Sequence, residues 1–384
     1  MPRKLRDEDR VVKLEHATPV HQSCTRRPSL TGLTSKTYRY SSMGLVRLRL
    51  VALSGIIVMA TFASRAWAGK NDLQLLNLCP SKASILNVPE CSWVQRGNGG
   101  LIAGSVVPDA QGRADFRSLM SELGVVLAPR IPSVADTGGI AGFQFSLDLG
   151  LTEISNNQRF WNGVQGVSAT NPNGGPRPDP LLTTAGAFVR KGIWLPVPTM
   201  ELGFGAVHLL DSHLMSWQGY MKVAIHEGFH DWPLPSFALR GAVAYMTGTD
   251  QATMTTTSLD LLVSKGFALL KTARIEPFAG WSWISIFAHS GSLDATPSCN
   301  AMRIAAAPLG SANGSYCANF SFPDQDAITR FRLLAGFRLK FSVVFFAAQY
   351  EVFFSGSSRY TSSDSAKDQS ATQSALSLSA GLGF

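Results

Sequence analysis

Five consecutive residues, His226-Glu227-Gly228-Phe229-His230, match the HExxH pattern, in which two histidines hold zinc and the glutamate acts as general base on a zinc-bound water. That chemistry needs both imidazoles on one face of a helix, a turn apart. Gly228 in mid-motif, Pro233 and Pro235 just behind it, and flanking segments that alternate apolar with polar all oppose a helix. No acid or histidine follows between Trp232 and Gly248 to serve as a third ligand. The expectation is a strand-to-turn junction, with no metal and no cofactor. His208 and His213 could pair with Ser212 or Ser216 for nucleophilic work, but no orienting acid or oxyanion donor can be placed beside them. The reading is therefore a non-enzyme, with an outer-membrane hydrolase as its third alternative.

A second set of reactive groups is more regular. Asp148, Glu201, Lys222, Arg240, Asp260, Arg330, Arg332, Arg338 and Glu351 each stand in a stretch where every other residue is apolar. In Thr329–Leu339, Phe331, Leu333, Ala335, Phe337 and Leu339 alternate with Arg330, Arg332, Leu334, Gly336 and Arg338. Period two puts one set on each face of a strand. An apolar face toward lipid and a polar face toward a lumen are what a membrane-spanning strand of about 10 residues requires.

The same alternation recurs along the chain. Phe143 to Leu151, Met200 to Phe204, Phe237 to Tyr245, Leu259 to Val263 and Val344 to Val352 all carry it. Ten strands are expected, at about 140–154, 183–191, 198–210, 215–227, 235–247, 254–267, 273–288, 327–340, 343–355 and 374–384. Trp217, Trp281, Trp283, Tyr350, Phe353 and Phe354 fall near strand ends, as interface girdles do. Residues 116–128 have helical spacing (Phe116, Leu119, Met120, Leu123, Leu127) behind a possible Asp115 cap, and Pro129 and Pro132 follow. Were that segment a strand instead, the count would rise to twelve.

What precedes the strands reads as export. Met43 opens a run in which Arg47 and Arg49 flank an apolar stretch from Leu50 to Ala63. Ala66-Trp67-Ala68 then forms a small-x-small site, which sets the cut between Ala68 and Gly69. Residues 1–42 show no period and read as a spurious or disordered extension. The organisation is thus 1–42 extension, 43–68 signal peptide, 69–139 periplasmic lead-in or plug, and 140–384 barrel. Beyond residue 42 there are four cysteines in two local pairs, Cys79 with Cys91 and Cys299 with Cys317. In an exported chain this suggests two disulfides, with three pairings possible.

Net charge excludes one class of partner. Twelve of the 34 Lys/Arg and four of the 26 Asp/Glu lie in residues 1–68. The remainder carries 22 of each, so the overall +8 says nothing for nucleic acid.

The C-terminus carries a resemblance. Leu376, Leu378, Ala380, Leu382 and Phe384 share a face against Ser377, Ser379, Gly381 and Gly383. In this the chain resembles proteobacterial outer-membrane proteins, whose last strand alternates and ends in an aromatic residue. The resemblance covers eleven residues. It implies insertion by the barrel-assembly machinery with Phe384 as the assembly signal, and residence in the bacterial outer membrane. The Gly138–Phe143 stretch also resembles, more distantly, the long-chain fatty-acid transporters.

The fold expected is all-β: a transmembrane antiparallel barrel of about ten strands with a short N-terminal periplasmic segment. The function expected first is porin-like permeation or transport of small solutes, of unknown identity, with a mild anion preference set by Arg330, Arg332 and Arg338. A non-transporting surface barrel acting through external loops is the alternative. Charges lining so narrow a bore can equally pair with one another and close it.

Overall fold

The computed structural model describes residues 69–78, 110–130, 132–164, 177–193, 199–227, 234–269, 272–294, 319–358 and 368–384. The extension 1–42, the signal segment 43–68, and Cys79, Cys91, Cys299 and Cys317 lie outside them. No helix among the described residues is long and apolar enough to cross a membrane; the crossing elements are strands.

Ten long strands form the barrel. They are β1 (Phe143–Glu153), β2 (Leu181–Ile193), β3 (Met200–Leu209), β4 (Met215–His226), β5 (Ser236–Thr247), β6 (Ala252–Ser264), β7 (Ala273–Ser290), β8 (Gln325–Phe341), β9 (Val344–Phe353) and β10 (Gln373–Gly383). Each pairs antiparallel with the next, and β10 returns to pair with β1 from Gln144↔Gly383 to Thr152↔Ala375. The sheet is therefore a closed up-and-down meander without a free edge. Lengths run from 10 residues in β3 and β9 to 18 in β7, enough to span a hydrocarbon layer when tilted.

Closure follows from the alternation. β5 buries Ala238, Arg240, Ala242 and Ala244 and exposes Phe237, Leu239, Val243 and Tyr245. β8 buries Arg330, Arg332, Leu334 and Arg338 and exposes Phe331, Leu333 and Phe337. The exposed set joins into a belt with Leu147, Leu149, Leu202, Phe204, Met221, Leu259, Leu261, Trp281, Phe346 and Leu378. A soluble monomer rarely exposes more than roughly a few hundred Å² of contiguous apolar surface, so a belt round the whole barrel belongs in lipid. The class is a membrane-spanning β-barrel. Trp217, Trp281, Trp283, Tyr350 and Phe354 stand in or beside this belt. Phe353 does not. It shares its strand face with Glu351, is fully buried, and turns inward.

The two ends differ. One carries short connections at 194–199, 227–235, 265–272 and 342–343. The other carries the long loops 154–180, 291–324 and 354–372, with tight turns at 210–214 and 248–251.

The segment ahead of β1 is a helix, α1 (Ala110–Val126), so the strand count stays at ten. It begins five residues before Asp115, which is therefore interior to the helix. Asp115 bonds Gln111 Nε2 at 2.9 Å and Arg159 at 3.0 Å instead of capping. At the other end Arg130 folds back and donates to the Val125 and Val126 carbonyls at 2.6 and 2.8 Å, satisfying acceptors left open where Pro129 stops the helix. Phe116, Leu119, Met120 and Leu123 pack with Leu209, Met246, Met254, Ile286, Ile328 and Phe353, residues from the long-loop half of the barrel wall.

Candidate functional site

The interior of the barrel is filled. From the end of α1 the described residues of the chain lie within the lumen outside helix and sheet, and lumen side chains bind their carbonyls in order. Ser216 and Gln218 donate to Leu127 O, both at 3.2 Å; Arg332 donates to Pro129 O at 2.9 Å. Arg190 donates to Pro132 O at 3.3 Å, and Lys222 to Val134 O and Asp136 O at 3.0 and 2.9 Å. Ala135 N–H reaches Ser264 Oγ at 3.0 Å. Near the exit Val134 and Ala135 are packed by Ala224, Ala238, Leu262, Phe278 and Leu334. Carbonyls outside helix and sheet have no ladder partner, and burying them unpaired is costly; the wall supplies donors for them.

The lumen charges close on one another. Asp260 accepts from Arg240 at 2.6 Å and from Arg332 at 2.8 Å, and Arg332 continues to Glu351 at 3.3 Å. Lys222 pairs with Glu201 at 3.1 Å, and the Tyr220 hydroxyl donates to the same carboxylate at 2.6 Å. Arg338 meets Glu276 at 2.5 Å. Arg330 has turned to the hydroxyls of Ser121 and Ser370, each at 3.0 Å, and to the Ala371 carbonyl at 2.9 Å. The arginine row is therefore engaged by acids, hydroxyls and carbonyls of the protein itself. Arg332 and Arg338 are paired with acids on neighbouring strands, and Arg330 ties α1 to the approach to β10.

Asp148 is the exception. Its carboxylate is buried in no ion pair of its own, beside Ser146, Ser379 and Arg190, and the Ser377 hydroxyl is buried without a hydrogen bond. A cavity of about 20 Å³ lies here, lined by Arg130, Asp148, Gly150, Thr184, Gly186 and Ser377 among others. Gly186 faces Asp148 across the β1–β2 pair, so the wall itself leaves the space. It is enough for one water, which would satisfy these groups.

Several interior residues carried a weaker sequence signal. Glu276 shares its face with Phe278 and Ser282, and Arg190 with Phe188 and Thr184, so inward phenylalanines hid both. Arg130 stands in a stretch with no period at all. It lies with Arg332 against the Phe353 ring, at 5.7 and 5.6 Å from the centroid.

Among the described residues the histidines stand apart from one another along the chain's strands and turns. His226 closes β4 as a strand residue, and the Glu227 carboxylate accepts the N–H of Thr137 at 2.9 Å as well as its hydroxyl. His230 lies outside the described residues. Among the described residues no cluster of three His, Cys, Asp or Glu could hold a metal. Ser216 is buried on the lumen face, donating to Leu127 O. The His208 ring nitrogen Nδ1 is buried without a partner.

At the long-loop end Asp72 gathers the others. It accepts from Ser212 Oγ at 2.8 Å, from His213 N–H at 2.6 Å and from Gly69 N–H at 2.7 Å, and His213 Nδ1 lies 2.6 Å away. Ser212 thus spends its proton on Asp72 and not on a histidine. Burial pushes the Asp72 carboxyl up, but the bonds from His213, Gly69 and Ser212 outweigh it and hold the group below its ordinary value.

No protein-family model matches the chain, and no curated protein matches it. Among solved structures it is similar to Ail, the attachment invasion locus protein of Yersinia pestis, at 9% identity over 64% of this chain and 99% of that one, with a TM-score of 0.23. It is also similar to Neisserial surface protein A, at 10% identity over 65% and 97%, with a TM-score of 0.24. A second Ail structure, in complex with the heparin analogue sucrose octasulfate, gives 10% identity over 63% and 98%, with a TM-score of 0.21. The fold assignment rests on this chain's own strand pairing and apolar belt.

Proposed function

We propose that the protein is a bacterial outer-membrane barrel that conducts no solute in this state and acts through its long-loop end. The observation that carries this reading is the occupied lumen, where the carbonyls of Leu127, Pro129, Pro132, Val134 and Asp136 take up the donors and Asp260, Glu351, Glu201 and Glu276 take up the cations. A permeation path needs a continuous wetted bore, and ten strands leave little room around such a segment. The outer-membrane setting is supported by the apolar belt and by the short and long connections segregating to opposite ends. Export through residues 43–68 and insertion by the assembly machinery belong to the same reading. In this view the loops, and not the lumen, meet the outside.

Reconstitution in planar bilayers and in liposomes tests it. Folded protein is expected to give no step currents and no solute-driven swelling. Steady single-channel steps from the intact chain would overturn the closed-lumen reading and restore permeation.

A further inference from the structure

Gly69–Leu78 is bound at the long-loop end. Asn71 N–H donates to Asp211 O at 3.0 Å, and Asn71 Nδ2 to Leu210 O at 3.1 Å. Gln74 N–H donates to Gly163 O at 2.9 Å, and Leu75 N–H to Gln251 Oε1 at 2.6 Å. Lys70 reaches Asp179 at 2.7 Å. These partners come from the β1–β2 loop, the β3–β4 turn and the β5–β6 turn, all at one end. Helix α1 sits at that end too. β1, however, starts at the other end, where Phe143 lies beside Lys191 and Phe384.

Between them the chain makes one pass. Along β4 its contacts fall in sequence: Ser216 and Gln218 with Leu127, Lys222 with Val134 and Asp136, and Glu227, just beyond the strand, with Thr137. We infer that the barrel holds its own upstream segment through its lumen and places Gly69–Leu78 on the long-loop side, with α1 packed inside the wall at that end. Given the outer-membrane reading above, on which the direction rests, that side is the cell exterior. The barrel thereby carries to that side a segment that precedes it in the chain.

At the long-loop end the arrangement is held by two carboxylates, one inside the wall and one at its rim. Inside, Glu122 accepts from Ser155 N–H, Trp161 Nε1 and Ala371 N–H at 3.0, 2.8 and 3.1 Å, so α1 cannot slide without leaving a buried carboxylate bare. Outside, Asp72 ties the segment to Ser212 and His213.

Cysteine accessibility on intact cells tests this. Lys70→Cys reads the segment, Asp250→Cys the long-loop end and Ser342→Cys the short-turn end, each against the labelling of the parent chain with a membrane-impermeant thiol reagent. Lys70→Cys and Asp250→Cys are expected to label to the same extent on intact cells, and Ser342→Cys only after the outer membrane is permeabilised. Lys70→Cys following Ser342→Cys would overturn the single pass. Lys70→Cys following Asp250→Cys while both need permeabilisation would uphold the pass and overturn the sidedness. Heat-modifiable migration confirms that each variant has folded, and Gln74→Cys reads the same segment if Lys70→Cys does not.

Discussion

Phe143 and Phe384 exchange both of their backbone hydrogen bonds, Phe384 N–H to Phe143 O at 2.8 Å and Phe143 N–H to Phe384 O at 3.1 Å. This is the last rung of the β1–β10 seam. The Phe384 side chain meanwhile stands out into the surroundings, 67% exposed. Deleting Phe384 removes two bonds worth about 0.5–1.5 kcal/mol each and the aromatic anchor, whereas Phe384→Ala removes the anchor alone. The folded fraction, read as the fast-migrating unboiled band, should fall in both variants and further in the deletion. Equal yields from all three chains would show that the rung does not matter to closure.

Arg332 is the hub of the interior, joined to Asp260, Glu351, Ser282 and the Pro129 carbonyl. Arg332→Met leaves Glu351 short of its cation inside the wall. The expected loss is about 3–5 kcal/mol, the scale for breaking a buried pair. The double variant Arg332→Met, Glu351→Gln should recover part of it, because the stranded charge is gone. Urea titration of the folded band measures both; a double variant as weak as the sum of the singles would contradict the pairing.

Asp72 sets a pH limit on the outer clamp. Its carboxyl is held below the ordinary value of 3.8, so the bond set contributes fully above that value and is lost as the pH falls through the lowered one. Amide exchange at His213, a backbone donor to Asp72, should stay slow down to about pH 4 and quicken below it, and Asp72→Ala should abolish the protection at every pH. Protection that vanishes near pH 6 would implicate a different group.

The strands were legible because lipid and lumen demand opposite chemistry from alternate residues. All ten are present, with bounds within a few residues of those expected from period two. The helix was harder. Asp115, Arg117, Ser118, Ser121 and Glu122 are buried along with its apolar residues, so no solvated face marks where it begins. The interior pairings were not legible. Which acid meets Arg332 depends on register and barrel stagger, properties of the closed sheet and not of any one strand. Phe353 was misplaced for a related reason: an aromatic near a strand end suits either face, and here two guanidiniums claim it from inside.

A cord through a ring ordinarily raises the question of how it was threaded. The β1–β10 seam removes that question. Because the ring closes between its first and last strands, an open sheet can curl around the cord already lying against β4 and β8 and fasten on the far side, with no free end drawn through a hole. The seam joins residues more than two hundred positions apart, so its loop-closure cost is large and it is expected to form late. The cord would then act as a mandrel, fixing the bore to which the sheet closes.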